Sequence, residues 1–124
     1  MEEKKIQESK DRQARKYNIT LNNPLSMIPP MTHPQIKEEI GKLGSVSYWC
    51  MADEIGLKEQ TPHTHIYLYS ASPIRFSTVK KRFPQGHIES AYGSSAENKD
   101  YILKAGKWKN TSKTETSIAG TFEE

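Results

Sequence analysis

The stretch Val46–Glu54 (VSYWCMADE) does most to restrict what this chain can fold into. Read as an extended segment, it carries Val46, Tyr48, Cys50 and Ala52 on one face and Trp49 and Met51 on the other. A strand that is apolar on both sides has to lie centrally in a sheet covered on both sides. Little apolar material remains for anything else: hydrophobic residues make up 34% of the 124 positions and charged residues 27%. Mean hydropathy is −0.81. A chain of this kind makes one domain with a small core under a polar surface, near the size at which burying enough apolar area becomes difficult.

The other elements follow from local patterns. Tyr17–Asn22 alternates apolar and polar residues and is stopped by Asn23-Pro24, which predicts a half-buried strand. Leu25–Met31 reads as a proline-rich loop. Thr32 is placed to cap a helix with Pro34 in its first turn, Ile36, Ile40 and Leu43 at helical spacing, and Gly44 at its end. After the polar loop 56–62, His63–Tyr69 is strand-like. Ser77 is placed to cap a short helix, Thr78–Phe83. Gly86–Tyr92 reads as a further strand, and Gly93-Ser94-Ser95 leads into a helix from Ala96 to about Lys104. The connections are too short for parallel crossovers, so the expected class is α+β, an antiparallel sheet with helices on one face. Residues 1–16 read as a flexible charged arm, 17–109 as the folded domain, and 110–124 as a polar tail without regular structure.

Composition narrows function. No run approaches the roughly 18 apolar residues of a membrane span. The first residues, MEEKKIQESKDRQARK, lack the apolar stretch of a signal peptide. No membrane role is expected. The single cysteine, Cys50, excludes an internal disulfide framework and a cysteine-based zinc site, and reads as a core residue of a protein in a reducing interior. A net charge of +3 tilts toward acidic partners such as nucleic acid.

Three features carry chemistry. In His63-Thr64-His65 the two imidazoles project from one face of a strand, continued by Tyr67 and Tyr69, while Ile66 and Leu68 pack the other. One carboxylate would complete a site for a divalent ion, with Glu54 the first candidate and Asp53 the fallback. In Tyr101-Ile102-Leu103-Lys104, helical spacing lets the phenol and the ammonium face a common target. The basic residues Arg75, Lys80, Lys81, Arg82, Lys99, Lys104, Lys107 and Lys109 are interleaved with Phe76, Phe83, Tyr92 and Trp108. That mixture suits single-stranded nucleic acid, with phosphates neutralised and bases stacked. His33 and His87 have no partner at ligand spacing and read as ordinary residues.

Taken in order, YNITLNNP at 17–24, Glu54 with TPHTH at 61–65, and NKDYILK at 98–104 resemble the nicking domain of rolling-circle replication initiators. More narrowly they resemble the HUH endonuclease Rep proteins of circular single-stranded DNA viruses and related bacterial replicons. The stretch His87-Ile88-Glu89…Gly93-Ser94 is also similar to the segment those proteins carry before the tyrosine helix, and the likeness covers roughly residues 16–109. It implies an RRM- or ferredoxin-like HUH fold with the histidine strand in the middle. It also implies His63, His65 and Glu54 as ligands of Mn²⁺ or Mg²⁺, Tyr101 as nucleophile, and Lys104 as the assisting motif lysine. Asn22 and Asn23 match the motif associated with DNA recognition, beside the DNA-binding candidates Lys80, Lys81, Arg82 and Lys99.

The activity so implied is metal-dependent nicking and joining of single-stranded origin DNA, held in a hairpin loop, through a 5′-phosphotyrosine link. No GxxxxGK[ST] loop is present, so a helicase region is expected in a further C-terminal part. Many viral relatives have Gln at the place of His65, so the complete His-x-His is closer to bacterial replicons. Localisation is expected to be intracellular, cytoplasmic for a bacterial replicon and nuclear for a eukaryotic virus. Two other readings compete: a non-catalytic single-strand-binding module on an RRM-like sheet, and, far behind, a two-histidine-one-carboxylate iron oxygenase.

Overall fold

The computed structural model describes residues 11–56, 61–103, 116–118 and 122–124. Among the described residues there are five strands: β1 (Gln13–Asn22), β2 (Val46–Gly56), β3 (Pro62–Arg75), β4 (His87–Ser90) and β5 (Thr116–Ile118). Three helices accompany them: α1 (His33–Gly41), α2 (Phe76–Arg82) and α3 (Ser95–Leu103). The strands form one antiparallel sheet in the order β4-β1-β3-β2-β5, so the histidine strand β3 lies in the middle. This is an α+β fold of the HUH endonuclease type.

Alternation along the strands assigns the two faces. On the rear face, Tyr17, Ile19, Leu21, Met51, Ile66 and Leu68 meet Ile36 and Ile40 of α1 and Val79 of α2, with Phe83 just beyond it, in the larger apolar cluster. On the front face, Cys50, Ala52 and Tyr67 meet Ala91 and Ile102 of α3 in a smaller one. Helices therefore cover both faces, not the single face expected. β2 needs cover on both sides, and one face of helices would have left Cys50 and Ala52 in water.

Several other expectations are corrected by the backbone. β1 begins at Gln13, because residues 13 and 14 pair with Arg75 and Ile74 at the far end of a long β3, so the sheet reaches into the segment read as an arm. A register shift between Val46 and Tyr48 turns Val46 to the rear face beside Trp49, undoing the simple two-residue alternation. A 3₁₀ turn at Pro24–Ser26 interrupts the proline-rich loop. Helix α2 starts at Phe76 with Arg75 as its N-cap residue, and the Ser77 hydroxyl donates to Asp11 instead of capping. The tail is not devoid of regular structure: β5 pairs with β2 opposite Glu54–Gly56, and a bridge joins Glu123 to Met51.

Caps match their sequence signals better. Thr32 accepts from the Gln35 amide at the start of α1. Before α3, Gly93 adopts φ +83°, a left-handed conformation that suits glycine, and a capping box follows. The Glu97 amide donates to Ser94 Oγ (3.1 Å) and the Ser94 amide to Glu97 Oε1 (3.0 Å). Ser94→Ala removes half of that box, and urea unfolding is expected to show a loss of about 1 kcal/mol. An unchanged midpoint would mean that packing alone holds the start of α3.

Candidate metal centre and nucleophile

Cross-strand register assembles the site. Glu54 on β2 stands directly opposite His63 on β3, and His65 stands opposite both Ala52 of β2 and Thr20 of β1. All three chemically competent side chains leave the front face. Glu54 is 1% exposed, and its two carboxylate oxygens lie 3.7 Å from His63 Nε2 and 3.5 Å from His65 Nε2. These separations are longer than good N–H···O bonds, and one ligand atom from each residue lies within 4.8 Å of the others, as around a shared ion.

The outer hydrogen bonds suit that role. His63 Nδ1–H donates to the Thr61 carbonyl (3.1 Å), which directs Nε2 toward Glu54. His65 Nδ1 lies 3.1 Å from Thr20 Oγ1, so the same tautomer follows when the ring donates. Two imidazole nitrogens and a buried carboxylate form a donor set that fits a divalent ion of the Mn²⁺ or Mg²⁺ type and also Zn²⁺.

Asp53 does not join this group. It points to the rear face, where the Thr64 hydroxyl (2.7 Å) and His33 Nε2 (2.9 Å) both donate to its Oδ1. Adjacent strand residues alternate faces, so only one of the two carboxylates can meet the histidines.

Tyr101 lies on α3 beside the same face, its ring centroid 6.4 Å from that of His65. Tyr101, His65, Thr20, Asn18 and Glu89 border a cavity of about 180 Å³. Burial first, then the charges of Glu54 and Glu89, push the Tyr101 phenol above its ordinary value of 10. The helix is tied down by Asn98, whose side-chain amide donates to the carbonyls of Tyr92 (2.8 Å) and Ser94 (2.9 Å). Asn18 of β1 donates to Asn98 Oδ1 at 3.4 Å. Asn18, Thr20 and Asn98 were not singled out in the sequence. The first two were readable there, since they alternate with Asn22 on the polar side of β1.

The remaining candidates scatter. Asn22 ends β1 opposite His63 and is exposed. Asn23 has φ 50° and donates its backbone amide to the Pro62 carbonyl (2.8 Å). Lys80, Lys81 and Arg82 form the last turn of α2, which packs on the rear face, across the sheet from Tyr101. Lys80 donates to the Gly86 carbonyl and Arg82 to Glu39. Lys99 is ion-paired with Glu124 and lies over the Phe122 ring. Lys104, Lys107, Trp108 and Lys109 fall outside the described residues. Among the described residues, Lys80, Lys81 and Arg82 therefore do not share a face with Tyr101.

Comparison with known proteins agrees with this geometry. The chain is 33% identical over 93 residues to the replication-associated protein of beak and feather disease virus, covering 74% of this chain and 29% of that protein. It is 37% identical over 62 residues to the replication-associated protein of Human associated cyclovirus 1, covering 49% of this chain and 22% of that protein. Over the matched residues the chain is similar to viral replication-associated proteins. No protein-family model matches it. The matched part of the chain spans between a fifth and a third of those relatives' length. Both are viral, although the complete His-x-His had pointed toward bacterial replicons. No helix among the described residues is long and apolar enough to cross a membrane.

His33 is the residue most misread in the sequence. Its ring bridges Asp53 (2.9 Å) and Glu123 (2.6 Å), so each ring nitrogen faces a carboxylate oxygen and the protonated, charged form is favoured. Burial opposes that charge, but the bonds to Asp53 and Glu123 outweigh it and raise the pKa above 6.5. A raised folded-state pKa contributes stability that is fully present below the unfolded value and is lost as pH rises through the folded one. The advantage of the natural chain over His33→Gln in urea unfolding is therefore expected to be larger at about pH 6 than at about pH 9. A difference independent of pH would remove the charge from His33.

Proposed function

We propose that this chain nicks and rejoins single-stranded DNA at a replication origin, with Tyr101 as nucleophile and Glu54, His63 and His65 holding Mn²⁺ or Mg²⁺. The observation that carries the reading is the convergence of a buried carboxylate, two imidazole Nε2 atoms and a tyrosine ring on one face of a Rep-like sheet. A divalent ion bound there supplies Lewis-acid polarisation of a phosphate and offsets the Glu54 charge that opposes phenolate formation.

The chain's own groups define the rest. The Tyr101 oxygen bonds to phosphorus as the bond from phosphorus to the 3′ oxygen breaks. The protein is left on the 5′ phosphate, and the released strand ends in a 3′-hydroxyl. The reverse attack by a 3′-hydroxyl rejoins the strand, and the covalent link conserves the energy of the broken bond. Thr20 and the Thr61 carbonyl orient the two imidazoles by their Nδ1 atoms, with Nε2 of each toward Glu54. Asn98 fixes the start of the helix that carries Tyr101. Lys104 is assigned the charge-stabilising role of the motif lysine.

Asn22 and Asn23, at the end of β1 next to His63, are assigned to recognition of the bases. Lys80, Lys81 and Arg82 are assigned to phosphates of DNA that has passed around the sheet, away from the scissile bond. The substrate is single-stranded, presented in the loop of a hairpin, and helicase activity belongs to the remainder of a longer protein.

Tyr101→Phe is expected to reduce nicking of a labelled oligonucleotide by more than about a thousandfold while DNA affinity changes little. After reaction of the natural chain, a tryptic digest should carry the DNA adduct on Asp100–Lys104. Complete cleavage with a free 5′ phosphate and no modified peptide would falsify the tyrosine mechanism and favour attack by water. EDTA should abolish nicking, as should His63→Ala in the presence of Mn²⁺.

A separate expectation concerns the rear face. Lys81→Ala should lower the slope of log affinity against log salt by about 0.7 and leave cleavage chemistry intact. An unaltered slope would place α2 off the DNA path.

A further inference from the structure

We infer that His33 is a positioning residue for the Glu54–His63 pair, acting through Asp53 and Thr64 on the opposite face of the sheet. The inference rests on the reading of Glu54, His63 and His65 as a metal centre. Its basis is the alternation of two neighbouring cross-strand pairs. Glu54 opposite His63 faces front; Asp53 opposite Thr64 faces rear. A slip of one residue between β2 and β3 would carry Glu54 to the rear and dismantle the front-face group.

What resists that slip changes along the strands. Farther in, the rear-face pairs are apolar: Met51 opposite Ile66 and Trp49 opposite Leu68. At the Glu54 end the rear-face pair is polar, and a hydrogen bond specifies its register: Thr64 Oγ1 donates to Asp53 Oδ1 at 2.7 Å. His33 Nε2 donates to the same oxygen at 2.9 Å. His33 opens α1, and α1 is fixed in the rear core by Ile36 (0% exposed) and Ile40 (4%). The hold on Asp53 thus originates in the hydrophobic core rather than in a mobile surface side chain. The ring's other nitrogen meets Glu123 at 2.6 Å, and Glu123 also accepts from Lys37 at 2.9 Å.

A competing role is direct contact with DNA, since His33 borders a cavity of about 300 Å³ shared with Asn23, Asp53, Glu54 and His63. The two roles differ in what they require. Positioning passes through Asp53 and shows in metal affinity without DNA, whereas contact shows in DNA affinity without metal.

The test titrates Mn²⁺ alone into the chain, followed by electron paramagnetic resonance, with thermal unfolding as a control for folding. His33→Ala and Asp53→Ala are each expected to weaken Mn²⁺ binding about tenfold, the lower end of what outer-shell partners contribute. The double variant should be no weaker than either single one, because both break one linkage. His33→Gln, which keeps a donor for Asp53, should recover most of the affinity even where the alanine variant folds poorly. Glu123→Gln should bind like the natural chain. DNA affinity in EDTA should be equal for the natural chain and His33→Gln.

Equal Mn²⁺ affinity for the natural chain and His33→Ala overturns the positioning role and leaves the metal centre standing. Additive losses in the double variant, or a loss of DNA affinity in EDTA, overturn it as well. Absence of Mn²⁺ binding by the natural chain, or undiminished binding by His63→Ala, overturns the metal reading and this one together.

Discussion

The register of β3 between β1 and β2 is the constraint on which the rest of the structure depends. One run of residues supplies Ile66 and Leu68 to the rear core and His63, His65 and Tyr67 to the front, so packing and chemistry are two readings of one alternation. The neighbours on both sides are set by the same pairing: Thr20 reaches His65 from β1, and Glu54 reaches His63 from β2. A carboxylate buried as deeply as Glu54 is costly in a low-dielectric site unless positive or polar groups are held close by. The rear core secures those positions, because shifting β3 would expose Ile66 and Leu68 before it moved a histidine.

The two faces divide the work unequally. The rear carries the larger apolar cluster, two of the three helices and the basic turn of α2. The front has a small cluster under α3 and leaves polar side chains of β1, β3 and β4 around Tyr101. Substitutions among the front-face polar groups therefore touch few of the contacts that hold the chain folded, and loss of activity can be separated from loss of structure. Asn98 is an exception, as is the fully buried Glu54. Asn98 is buried, and it supports the helix that presents the tyrosine.

Much of this was legible in the sequence, and the parts that were not have physical reasons. Strand identity came from two-residue alternation in Tyr17–Asn22 and from apolar residues on both faces of Val46–Glu54. The grouping of Glu54 with His63 and His65 was readable from His-x-His and a preceding acidic strand end, and Tyr-x-x-Lys supplied the candidate nucleophile. The choice between Asp53 and Glu54 required the cross-strand register, which a single strand does not encode. The placement of Lys80–Arg82 required knowing which face α2 covers, and adjacency to Lys99 in the sequence was misleading because β4 and a turn separate the two helices. His33 could not be read at all: its partners lie 20 and 90 positions away, and no local spacing announces them.

The pairing of β5 and Glu123 with β2 has a consequence for solubility. β2 is hydrogen-bonded to β3 on one side, and on the other β5 and Glu123 occupy part of its ladder, against Glu54–Gly56 and Met51. A strand rich in Trp49, Cys50, Met51 and Ile55 with that side bare would be a template for a foreign chain. The segment after the tyrosine helix thus shields a sticky border of the sheet. Shortening the chain to end at the Tyr-x-x-Lys motif would leave that side of β2 open to self-association.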